Sequence, residues 1–388
     1  MRTDQPVLPG TSLGGTSPRA VWDGFHAPRL TQARRLAGLT KRDVAEGIGV
    51  SAAAVGQYEA GTNRPRPELI PLLAEVLDVP IQFFVAGRPM GKLDSSMAHF
   101  RALRSTSGAQ RERALGFVEQ VWELTHALEK RVQLPLVNLP GFTGGEVHPG
   151  IDLPDDPVSA ARELRRHWGL GDGPVRHLVR RMESHGLIVV APSEPDAATA
   201  KVDAFSSSGL LRPVVVLTPN RADDVYRYRF SAAHELGHLV LHAASTGDSR
   251  LEREADSFAA EFLTPQKSIL PLLPRRVDLA QLAGLSRTWG VSVHSLIYRY
   301  RELGLVSDAT ISRAYQRLRG LSGQPGFAPE SVRGFPGEQP VMLRKAFELA
   351  EQDIGLTIRE LAAELAWKPA RVRELLGMPD SRPVLRLV

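Results

Sequence analysis

Residues 227–242 read RYRFSAAHELGHLVLH. Phe230, Ala232, Ala233, Leu236, Leu239, Val240 and Leu241 recur at helical spacing, which predicts a helix packed into a core. Inside it lies His234-Glu235-Leu236-Gly237-His238. Side chains four apart share one face of a helix, so the two imidazoles can reach one metal ion from a common side. Glu235 stands next to the first imidazole, where a carboxylate can take a proton from a polarised water as general base.

A catalytic zinc takes three protein ligands and keeps one position open. His242 follows His238 by four residues, but it lies about 12 Å along the axis from His234, too far for one ion. An orienting or structural role suits it better. Residues 251–262, LEREADSFAAEF, hold the better third ligand. Leu251, Ala255, Phe258, Ala259 and Phe262 form a buried stripe, and Glu252 and Asp256 share a face. Glu252 is the expected ligand, and Asp256 the expected acceptor from the other nitrogen of His234. Glu254 is turned by about 200° from Glu252 and cannot share the ion. A solvated acidic face is the alternative reading of this run. Zinc is the usual occupant of a two-His, one-Glu set, with manganese as the alternative. Tyr226, Tyr228 and His242 are the nearest donors for an oxyanion; Arg227 and Arg229 suit an acidic partner or Asp223 and Asp224.

Upstream, helices are expected at Val158–Trp168 and Val175–His185, and strands at Gly186–Ala191 and Pro213–Thr218. The second strand, if at a sheet edge, can hold an extended substrate. Residues 156–320 read as one unit. Residues 87–155 read as a linker with a long helix at Ala109–Arg131, residues 1–26 as a flexible arm, and residues 321–388 as a helical C-terminal region. Within that last region Thr357–Gly377 is spaced like a helix–turn–helix pair. It reads as a packing or dimerisation element in preference to a second DNA-contacting module.

Residues 40–61 read TKRDVAEGIGVSAAAVGQYEAG. Thr40 caps a helix with Val44, Ala45 and Ile48 inward; Gly49 turns the chain; Ser51 caps a second helix with Val55 and Tyr58 inward. With Glu59, Gly61 and Pro65, this order resembles the XRE-type helix-turn-helix of phage repressors, over residues 27–86. The resemblance implies an all-α domain whose second helix enters the major groove. Ala52, Ala53 and Gln57 are then the base-facing positions, and Lys41, Arg42, Arg64 and Arg66 the phosphate contacts. Two alanines depart from a polar recognition helix and weaken sequence-specific readout.

The stretches RYRFSAAHELGHLVLH, EREADSFAAEFLTP (Glu252–Pro265) and WGVSVHSLIYRYRELGLVS (Trp289–Ser307) resemble the ImmA/IrrE family of zinc-dependent metallopeptidases. The resemblance implies a zincin-like α+β domain, zinc on His234, His238 and Glu252, Glu235 as base, and helix-turn-helix repressors as substrates, cleaved to release stress or mobile-element genes. The expected whole is mostly α with a small β-sheet. The alternatives are a DNA-binding regulator whose peptidase-like domain senses without cutting, and an antitoxin.

Composition agrees with this reading. The 388 residues are 43% hydrophobic and 23% charged, with a net charge of +5, which permits a DNA partner. The absence of cysteine excludes disulfides and thiolate sites. No apolar run approaches ~20 residues, so no membrane partner is expected. No secretion signal is visible, so a cytoplasmic location is expected. A homodimer is compatible with the DNA-binding module.

Overall fold

The computed structural model describes residues 17–85, 98–99, 108–142, 153–192, 204–208, 210–217, 224–242, 249–321, 323–324 and 326–378. The chain opens with α1 (Pro18–Asp23), α2 (Ala27–Ala37), α3 (Lys41–Ile48), α4 (Ala52–Ala60) and α5 (Leu69–Val76). Residues 18–26, expected in a flexible arm, therefore belong to the first domain. Ser17 caps α1, and Val21 and Phe25 are buried with Phe83 and Phe84. Residues 1–16 lie outside the described residues.

Next come the two-residue strand β1 (Ala98–His99) and the long helix α6 (Gly108–Glu129). The helix is a spine of the core, not part of a linker. Leu115, Val118, Val121, Leu124 and Leu128 are fully buried in the cluster that also holds the first domain. Charge fixes the docking of α2 on α6. Arg29 meets Glu123 at 2.7 Å, Gln32 donates to the same carboxylate at 2.9 Å, and Arg35 pairs with Glu112. A buried pair of this kind is costly to break from one side, because the partner charge stays buried.

Then follow α7 (Pro157–His167), α8 (Leu178–Ser184), β2 (Ile188–Val190), β3 (Ala204–Ser207), β4 (Val214–Leu217), α9 (Val225–Leu241) and α10 (Ser249–Leu263). The helices α11 (Gln266–Ile269), α12 (Leu279–Trp289), α13 (Val293–Glu302) and α14 (Asp308–Gly320) complete the middle region. Finally α15 (Met342–Ile354), α16 (Ile358–Leu365) and α17 (Pro369–Leu375) pack against α6 and the sheet. The fold is mostly helical with a small sheet, as expected.

The sheet runs β1-β3-β4-β2, with β2 parallel to β4 and the other pairs antiparallel. Alternation sends Val214 and Val216 into the core shared with α6, and Val215 and Leu217 into the core shared with α9. Helices thus cover both faces, which is why every residue of β2, β3 and β4 is buried. One expectation fails here. The strand expected at Pro213–Thr218 is β4, and it lies inside the sheet between β2 and β3. The strand on the other side of β4 is β3, a short half-polar strand (AFSS) that alternation in the sequence did not mark, and its outer side is paired with the two residues of β1.

Candidate metal centre

Asp224 starts α9 by accepting from the backbone N–H of Tyr226 and Arg227 at 3.0 and 3.2 Å. Ala232, Ala233, Leu236 and Leu239 are fully buried and fix its rotation. Gly237 sets the distance to α10. A Cβ there would stand 3.0 Å from the Phe258 ring and 3.3 Å from the Ala255 Cα. The missing side chain lets the two helices cross closely, and the crossing carries Glu252 to the histidines.

The Nε2 atoms of His234 and His238 are 3.0 Å apart, and Glu252 Oε2 is 3.7 and 3.6 Å from them. Among the described residues this is the one group of three ligand-type side chains whose donor atoms all lie within 4.8 Å of one another. The hydrogen bonds behind it fix the ring tautomers. His234 Nδ1 meets the Asp256 carboxylate at 2.8 Å. A carboxylate only accepts, so Nδ1 carries the proton and Nε2 a lone pair. His242 Nε2 donates to Glu254 at 3.0 Å by the same reasoning, which makes its Nδ1 an acceptor. His238 Nδ1, 3.0 Å away, then donates to it, and His238 Nε2 is also bare. With both rings neutral, two lone pairs and a carboxylate oxygen face one point, which is the donor set that a divalent cation takes. Ligands about 2.0–2.2 Å from one ion stand ~3.3 Å apart in a tetrahedron, so the residues present fit zinc.

Glu235 is buried on the same helix, and Ser206 of β3 donates to its Oε2 at 2.7 Å. Burial holds His242 below the usual imidazole range, in keeping with a neutral ring. Arg250, donating at 2.7 Å, holds the Glu254 carboxyl below its ordinary value.

The structure brings His234, His238, Glu252, Glu235, Asp256 and His242 together. It does not bring in the tyrosines. Tyr226 donates to Glu330 at 3.1 Å, and its hydroxyl is pushed up to about 12 by burial. Burial also raises Tyr228, which lies near Glu338 and Glu183. Arg229 is buried and pairs with Glu338 while donating to the Gly290 and Val175 carbonyls, so it is not free for a partner; Asp223 lies outside the described residues. The sequence reading missed Ser206, the pairing of Glu254 with His242 and the close packing at Gly237. Only the glycine carried a local signal, since a mid-helix glycine costs stability unless a neighbour needs the space.

The first domain has its own surface. Thr40 and Asp43 form a capping box, Gly49 takes φ 71°, and Ser51 caps α4. Ala52, Ala53 and Gln57 are exposed on α4, where a groove-reading face belongs. Three of the four expected phosphate contacts have protein partners as well. Lys41 stands 3.5 Å from Glu59, Arg42 donates to Glu46 at 2.8 Å, and Arg64 donates to the Asp23 carbonyl at 3.1 Å. Gln57 Oε1 accepts from Asn63 at 2.7 Å.

Comparison with known proteins agrees with both regions. Residues 30–84 match the helix-turn-helix family, and residues 182–301 match the IrrE N-terminal-like domain. Similar curated proteins include an uncharacterized HTH-type transcriptional regulator of Sinorhizobium medicae (strain WSM419) and one of Rhizobium meliloti (strain 1021). Each is 27% identical over 95 residues, which cover 22% of this chain and 68% of the relative. No helix among the described residues is long and apolar enough to cross a membrane. The chain therefore joins a helix-turn-helix DNA-binding domain to an IrrE-like domain of the M78 peptidase type on one polypeptide.

Proposed function

We propose that the chain is a metal-dependent endopeptidase tethered to a DNA-binding domain, and that its substrate is a helix-turn-helix repressor. The observation that carries the reading is the convergence of three lone-pair donors beside a buried carboxylate held by Ser206. His234, His238 and Glu252 hold zinc, with manganese as the alternative. A bound divalent ion supplies Lewis-acid polarisation of the scissile carbonyl and of the attacking water.

The protein's own groups do the rest. Ser206 fixes one oxygen of Glu235, which aims the carboxylate. Glu235 takes a proton from the attacking water and delivers it to the leaving nitrogen. Asp256 and His242 keep the metal-facing nitrogens bare by holding the protons on the other side of each ring.

The test replaces Glu235 with Gln in the full chain and supplies a helix-turn-helix repressor as substrate. The variant is expected to keep one bound metal per chain and to lose cleavage by at least about 10²-fold. Undiminished cleavage would remove Glu235 from the reaction. The similar proteins named as transcriptional regulators favour a second reading, a regulator whose metal site senses without cutting. A sensor keeps its effect on transcription in the Glu235→Gln variant, whereas a peptidase loses it.

A further inference from the structure

The edge of β3 beside α9 is covered by the chain itself. Ala98 stands opposite Ser207 and His99 opposite Ser206, in an antiparallel pair. Ser206 is the residue that holds Glu235. The backbone of β1 therefore lies one strand spacing, about 4.8 Å, from the strand that carries the base's partner. On its other side β3 is paired with β4 over its whole length, and β4 in turn with β2, so among the described residues only the two-residue β1 separates β3 from the end of the sheet next to the centre.

An added strand binds through its main chain and thus accepts many sequences. β1 belongs to the connection between the DNA-binding domain, which ends near Phe84, and α6, which begins at Gly108. We propose that Ala98 and His99, within the interdomain connection, occupy in cis the edge on which the peptidase reading seats an extended substrate, and so act as a built-in competitor. A substrate segment then enters antiparallel to β3 only when Ala98 and His99 leave. The assignment of the edge to a substrate rests on the peptidase reading; the competition itself does not.

The test uses the full chain with Glu235→Gln, supplied with Zn²⁺, so that no probe is cut. The probe is a fluorescein-labelled synthetic peptide spanning residues 96–101, read by anisotropy. Ala98→Pro with His99→Pro removes both backbone donors of β1 and opens the edge. A tethered competitor acts at an effective concentration near the millimolar range, so the double variant is expected to bind the probe at least about tenfold more tightly. Amide exchange at Phe205–Ser207 should quicken in the double variant and stay unchanged at Val215–Leu217. Equal affinity for the probe in both proteins, including binding to neither, overturns the proposal, as does unchanged exchange at β3. Equal affinity leaves the peptidase reading intact, and cleavage that survives Glu235→Gln leaves the competition intact.

Discussion

Two regions of this chain, residues 38–60 and 355–377, are built on one plan. Gly38 and Gly355 end the preceding helices in the left-handed region, at φ 68° and 70°. Thr40 and Thr357 each form a capping box, with Asp43 and Glu360. Each box starts an eight-residue helix, α3 or α16, closed by a left-handed residue, Gly49 or Ala366. Val44, Ala45, Ile48 and Val55 have buried counterparts in Leu361, Ala362, Leu365 and Val372, every pair separated by the same interval. The outward faces differ. α4 exposes Ala52, Ala53 and Gln57. α17 also exposes Pro369 and Ala370 at the matching positions, but Glu374, at the position of Gln57, is half-buried and the side chains around it reach the protein: Lys368 at the cap pairs with Asp78, Arg371 donates to Gln120 at 2.8 Å, and with Leu36, Val76 and Phe117 they line a cleft of about 750 Å³. Caps and buried residues make the framework, and only the surface decides whether it meets DNA or the rest of the chain.

If the second copy serves packing, damage to its core should spread. Leu361 is fully buried in the cluster shared with α6 and the first domain. Leu361→Ala is expected to cost about 2–5 kcal/mol in urea denaturation. A loss under about 1 kcal/mol would mean that α15–α17 unfold apart from the rest.

The second copy is also anchored by a titrating group. Glu183 accepts from the backbone N–H of Val341 and Met342 at 2.8 Å each, at the start of α15, and burial pushes its carboxyl up to about 7. The folded value lies above the unfolded one, so the folded state keeps a proton that the unfolded chain releases. The stabilisation is full below about pH 4.5 and is lost as pH rises through 7. Glu183→Gln cannot ionise. Its melting temperature relative to the parent should therefore rise between pH 5 and pH 8, and a constant difference refutes the anchor's titration.

On the first copy the expected effect concerns DNA. Lys41→Ala with Arg42→Ala should lower the slope of log affinity against log salt by about 2, one per phosphate contact. Arg359→Ala, at the position matching Arg42, should leave the slope unchanged. A change caused by Arg359→Ala would make both copies DNA-contacting and end the contrast.

Local geometry was legible in the sequence, and non-local pairing was not. His234, His238, Glu252 and Asp256 could be related because four-residue spacing on a helix is a property of a few turns. Ser206 could not, since only strand pairing and the packing of α9 on β3 bring its hydroxyl to Glu235. Rotation on the helix separated Glu254 from Glu252, yet its partner His242 sits on another helix's end and was not paired with it. The long helix was legible as a helix but not as a spine, because its pairing with α2, Arg29 with Glu123 and Arg35 with Glu119, joins residues more than eighty apart in sequence. Likewise α1 carried its cap, Ser17-Pro18, but its burial depends on Phe83 and Phe84, more than sixty residues away.

The finest difference between the copies lies at one backbone position. Gly49 and Ala366 both have positive φ, 71° and 54°. Left-handed backbone costs a residue with a Cβ about 1–2 kcal/mol, and glycine almost nothing. At Gly49 a Cβ would meet nothing within 4 Å, so only backbone terms count. Gly49→Ala pays the left-handed cost and recovers about 0.4–1 kcal/mol from a less flexible unfolded chain, for a net loss near 1 kcal/mol. Ala366→Gly reverses both terms and also strips a methyl that is 7% exposed, which removes about 0.8 kcal/mol of burial. The sum is close to zero. The two reciprocal changes should therefore differ in size, not merely in sign. If Ala366→Gly stabilises the chain by more than about 1 kcal/mol, the buried methyl contributes nothing and the second turn is held under strain by its neighbours; if it destabilises by as much, packing at that methyl outweighs the backbone.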